Sequence, residues 1–145
     1  MMEPSFFKKG VPLPMYRKSE ILILSVLGCT RSDIRPLACA LDIIVDLLFI
    51  QRIPKSDIHV TKDVYPQVAA RTGKTIAAVS RSIVRMANLC WDTARSQDRL
   101  IEVFGRPLCD APSSADILFY LAFLLHFGQP FFSVLDDLDR LNSPT

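Results

Sequence analysis

Between Arg71 and Asn88 the chain carries four cations, Arg71, Lys74, Arg81 and Arg85, and no Asp or Glu. A guanidinium fork matches the O6 and N7 acceptors of guanine, so arginines repeated along one face of a helix have the chemistry of base reading in the major groove. Cations beside a turn suit phosphates instead, and add affinity and salt dependence without reading sequence. The expected base contacts are Arg81, Arg85 and Ser80. The expected phosphate contacts are Arg71, Lys74, Thr75 and Asn88, and the expected partner is double-stranded DNA.

Such side chains need a rigid support. Lys62 to Asn88 reads as two helices separated by Thr72, Gly73 and Lys74, with the glycine ending the first and Thr75 capping the second. A link this short is the spacing of a helix-turn-helix. Small Ala69 lets the two helices approach, and Val68, Val79 and Ile83 supply apolar contacts that hold their angle. Winding residues 75–95 at about 100° per residue places Ile76, Val79, Ile83, Met86 and Cys90 on one side. Arg81, Arg85, Asn88, Asp92 and Arg95 fall about half a turn away. The first set is expected in the core and the second presented, with Asp92 limiting the groove-facing part to the first three turns.

The rest of the chain must hold that helix. Its 145 residues are 50% hydrophobic and 22% charged, a balance suited to one folded domain. Residues 1–18, with Pro4, Pro12 and Pro14, read as an arm, residues 19–128 as the domain and residues 129–145 as a tail. Helices are expected over 19–28 with Ser19 as cap, from Ser32 or Asp33 to about Gln51, after Thr61, over 75–95, 96–104 and 113–127. The fold class is all-α, with six helices and a seventh if residues 131–141 pack. The formal charge of +2 conceals a basic segment and an acidic one, since residues 107–145 hold Asp110, Asp116, Asp136, Asp137 and Asp139 against Arg140 alone.

Several function classes lack their residues. No apolar run is long enough to cross a membrane: Asp42 and Asp46 interrupt Leu37 to Ile50, and Ile117 to Phe127 is short and contains His126. The N-terminus has prolines where a signal peptide needs an apolar centre, so a cytoplasmic protein without a membrane partner is expected. Cys29, Cys39, Cys90 and Cys109 lack metal-ligand spacing and read as reduced, buried thiols. His59 and His126 read as structural, and Trp91 as core. A Gly-rich phosphate loop and the His-Glu-x-x-His and Gly-x-Ser-x-Gly motifs are missing from the sequence, so neither an enzyme nor a cofactor is expected.

Val60-Thr-Lys-Asp-Val-Tyr-Pro-Gln-Val-Ala, then Val79-Ser-Arg-Ser-Ile and Trp91, resembles the C-terminal DNA-binding domain of the stage-zero sporulation protein A family of response regulators. The likeness extends to Leu27-Gly28, Ile34-Arg35, Leu37, Phe104-Gly105 and Pro112-Ser113, and covers about residues 19–127. It implies a six-helix effector domain that regulates transcription in sporulation by binding short operator boxes as tandem dimers. The arginine matching Arg81 faces bases in that family, so the resemblance implies the same role here. Ala78 and Val84 stand where the family has arginines and Ser80 where it has a glutamate, which implies a different sequence preference and weaker affinity. Arg85, in place of a histidine, offers a compensating cation. The family carries a phosphoacceptor receiver domain upstream, which eighteen residues cannot hold, so control is expected from the tails or a regulatory protein, or is absent. The alternative reading is a protein-interaction module that retains the fold with reduced or no DNA binding and uses the tail or the Phe6-Phe7 arm.

Overall fold

Where a glycine or small polar residue interrupts the apolar pattern the chain turns, and between these points it is helical. The computed structural model describes residues 17–28 and 30–142. Among these, all regular structure is helical: α1 (Lys18–Leu27), α2 (Arg35–Val45), α3 (Tyr65–Thr72), α4 (Ile76–Ser96), α5 (Leu100–Phe104), α6 (Ser114–Phe127) and α7 (Phe131–Asn142). The all-α expectation holds, and the seventh helix is present. Residues 1–16 of the expected arm, Cys29 and residues 143–145 lie outside the described residues. One π-helical turn, Asp46–Ile50, prolongs α2, and another, Val60–Val64, leads into α3.

Three boundaries differ from the sequence expectation. Ser19 does not cap α1: the helix starts at Lys18, and Ser19 is wholly buried with its hydroxyl unpartnered. It lies four residues before Ile23 and seven before Val26, on the stripe that the core claims. At α2, Ile34 occupies the capping position, while the Asp33 carboxylate accepts the Arg35 backbone N–H at 3.1 Å. The helix expected from Ser96 begins only at Leu100, because α4 continues to Ser96 and the chain then reverses at Asp98, with φ 57°. Aspartate is among the residues that take this left-handed conformation most readily.

The core is one cluster drawn from the first six helices and the turn before α3. α2 and α6 are the most extensively packed pair of helices, and Leu37, Leu41 and Ile44 of the one and Ile117, Leu118 and Leu121 of the other are wholly buried. Both sides of α6 are apolar, as expected of a helix enclosed by others. Ile83 and Met86 of α4, Ile23 of α1 and Phe104 of α5 complete the interior. Trp91 is buried as expected, its ring 5.5 Å from that of Phe104. The tail packs: Phe131 and Phe132 of α7 lie 4.7 and 5.4 Å from the Tyr120 ring, and Val134 is buried. No single helix among the described residues is long and apolar enough to cross a membrane.

Candidate nucleic-acid interface

The link from α3 to α4 is built by two residues with opposite backbone needs. Gly73 takes φ 72° and ψ 18°, and its N–H donates to the Ala69 carbonyl at 2.9 Å, which closes α3. That conformation costs a glycine little. Thr75 returns to extended backbone, and its hydroxyl accepts the Ala78 N–H at 3.1 Å, satisfying one of the donors that a helix start leaves unpaired. Lys74 sits between them, its ammonium 3.3 Å from the Asp33 carboxylate at the start of α2. The turn is thus anchored to the body of the protein.

From this start α4 runs for 21 residues. Val79, Ile83, Met86, Ala87, Cys90, Trp91 and Ala94 bury one side, so the helix cannot rotate about its axis without exposing core. Arg81, Arg85, Asn88, Asp92 and Arg95 are all exposed on the other side. Arg81, Arg85 and Asn88 follow each other at helical spacing, and none makes a side-chain hydrogen bond or ion pair among the described residues. Their donors are open to a ligand.

The remaining expected contacts are placed differently. Ser80 is half-buried on the flank of α4, about 100° around the axis from Arg81. Thr75 is exposed, with its hydroxyl oxygen engaged in the cap. Lys74 reaches solvent but shares Asp33 with Arg35. Arg71 lines a cleft together with Arg17 and Arg35, to neither of which the sequence reading assigned a ligand. Ile76, expected in the core, is 51% exposed. Its position on the helical wheel is that of the buried stripe, but it is the first residue of α4 and the buried stripe begins only at Val79. Ala78 and Val84 are half-buried and supply no cation beside the stripe.

No family model, curated protein or solved structure matches this chain. The functional reading therefore stands on the residues themselves. The His126 ring stacks on Phe49 at 3.9 Å, and no group of three or more His, Cys, Asp or Glu side chains that could hold a metal ion occurs among the described residues.

Proposed function

We propose that this protein is a sequence-specific, double-stranded-DNA-binding regulator of transcription that lays α4 in the major groove. The observation that carries the reading is the unpartnered stripe of Arg81, Arg85 and Asn88 on a helix whose opposite side is locked into the core. A base-reading side chain must be held in orientation before it meets DNA, and the capped, buried α4 supplies that support. The α3–α4 pair then acts as a helix-turn-helix, with Arg81 as the leading base contact and Arg85 beside it. Lys74 reaches backbone phosphate from the turn. Two copies on tandem boxes are the assembly implied by the sporulation-regulator resemblance. A gel-shift titration with random and box-containing duplexes at two salt concentrations tests the reading: preference for one duplex that survives added salt supports it, and equal, fully salt-sensitive binding rejects it.

A second reading is favoured by a different observation. Phe127 and Leu138 are 45% and 47% exposed and line the same shallow groove between the end of α6 and α7. An interaction module without DNA contacts would place a protein partner there, and would show no duplex preference in the same titration.

A further inference from the structure

We propose that the cleft between α1, α2 and α3 is a binding site for a small phosphate-bearing ligand, a proposal that does not depend on the DNA reading. Arg17 precedes α1, Arg35 is the first residue of α2, and Arg71 lies in the last turn of α3. Their side chains line one cavity of about 560 Å³, with Ala38, Cys39 and Thr72 also on its walls. An adjoining cavity of about 220 Å³ shares Arg35, Arg71 and Thr72 and reaches Lys74 and the Asp33 carboxylate. The larger lobe falls within the range of small-molecule sites, roughly 300–1,000 Å³.

The charges in the cleft select its ligand. Among the described residues, Glu20 is the one carboxylate lining the larger lobe, against three guanidinium groups, and one of its oxygens accepts the Arg17 backbone N–H at 3.0 Å. Two of the arginines are held in place by carboxylates outside that lobe. Arg17 donates through Nη1 to Asp42 at 3.4 Å, and Arg35 donates through Nε and Nη2 to Asp33 at 2.9 and 3.0 Å. These pairs leave Nε and Nη2 of Arg17 and Nη1 of Arg35 without a side-chain partner among the described residues, and Arg71 makes no ion pair among them. A guanidinium carries five N–H donors in a planar fork that matches phosphate bidentately. Arg71 can therefore grip two phosphate oxygens while Arg35 and Arg17 each reach toward the group from another helix. A carboxylate, with two oxygens and a single charge, would leave part of this set unused.

Calorimetric titration of the full-length chain with inorganic pyrophosphate at constant ionic strength tests the proposal. Saturable binding at one site is expected, and Arg71→Ala should weaken it at least tenfold. Arg71→Lys should fall between the two, since it keeps the charge and loses the fork. Arg95→Ala, which removes a cation elsewhere on the surface, should leave the affinity within twofold of wild type. The unfolding midpoint of each variant reports whether it is folded. Absence of saturable binding to the wild-type chain overturns the proposal, as does an Arg71→Ala affinity equal to wild type or a matching loss in Arg95→Ala. Pyrophosphate silence combined with weaker duplex binding by Arg71→Ala also overturns it, and assigns the cleft to the DNA backbone. Failure of the DNA reading would appear separately, as duplex binding indifferent to Arg81→Ala.

Discussion

Lys74 Nζ lies 3.3 Å from Asp33 Oδ2 and ties the α3–α4 turn to the start of α2 across 41 residues of sequence. The same carboxylate accepts the backbone N–H, Nε and Nη2 of Arg35. Hydrogen bonding to Arg35, joined by Lys74 and opposed by partial burial, holds Asp33 well below the usual carboxylate range. A folded-state value below the unfolded one, about 3.9, gives stability that is present above that pH and is lost as pH falls toward the folded value. Both pairs are solvent-screened, so Asp33→Asn should cost no more than about 1 kcal/mol at neutral pH. Urea unfolding should show the difference between wild type and variant narrowing from about pH 5 to about pH 2. A constant difference would mean that the carboxylate charge contributes nothing to it.

Arg81 is exposed and makes no side-chain hydrogen bond or ion pair among the described residues, so Arg81→Ala should leave stability within about 0.5 kcal/mol of wild type. On a preferred duplex it should lose about 1–3 kcal/mol of binding, with little loss on random DNA. Lys74→Ala should weaken both duplexes and reduce the salt slope by about one. Gel-shift titrations across salt concentrations read all three quantities. Equal loss on every sequence for Arg81→Ala would exclude base reading by that side chain.

How far the sequence revealed this arrangement depends on the range of the forces involved. Thr75 was legible as a cap because it sits two residues after the glycine that ends one helix and one residue before a long one, and its hydroxyl accepts a backbone N–H three residues on. The buried stripe from Val79 to Cys90 was legible because a regular period leaves one solution. Ile76 was misplaced because the wheel gives direction around an axis and not where along it burial begins, which is at Val79. Ser19 was misread because a serine near a helix start suits both a cap and a first-turn position, and packing with Ile23 and Val26 decides. The cleft was not legible at all: Arg17, Arg35 and Arg71 are far apart in the chain, and only tertiary packing converges them.

Two glycines with similar backbone angles should respond differently to substitution. Gly73 has φ 72° and no heavy atom within 4 Å of where a Cβ would sit, whereas at Gly105, with φ 95°, a Cβ would lie 3.0 Å from the Ser133 nitrogen and 3.1 Å from Phe132 Cβ. Gly73→Asn should cost about 1 kcal/mol or less, since asparagine tolerates this conformation. Gly105→Ala adds a clash with the backbone of α7 to the same strain, and should cost more. Hydrogen exchange should show faster opening of α7 in Gly105→Ala and not in Gly73→Asn. Unchanged α7 protection in both would mean that the helix moves aside freely.

Phe104 and Ile101 stand three residues apart on the same five-residue helix, yet Phe104 is wholly buried and Ile101 is 62% exposed. The Phe104 ring packs 5.5 Å from Trp91 and 5.8 Å from Tyr120. Removing it leaves a cavity among residues of α4, α5 and α6, so Phe104→Ala should destabilise by about 3–5 kcal/mol. Ile101→Ala should stay within about 0.5 kcal/mol. Urea unfolding midpoints of the pair separate packing from any loss of helix propensity, because alanine is the better helix former at both positions.

The three described thiols should alkylate in an order set by burial. Cys109 is exposed in the loop between α5 and α6, while Cys39 and Cys90 are buried. Burial pushes the Cys90 thiol up to about 12. It also raises Cys39, against a smaller lowering by the Arg71 guanidinium. The thiolate is the reactive form, so at about pH 8 iodoacetamide should modify Cys109 first and leave Cys39 and Cys90 protected until urea unfolds the chain. Peptide mapping after timed quenching identifies each site. Arg71→Ala removes a charge that favours the Cys39 thiolate and should slow that site further without changing Cys109. Cys39 lines the cleft but is only 6% exposed, so reaction there as fast as at Cys109 in the native protein would mean that burial does not set the order.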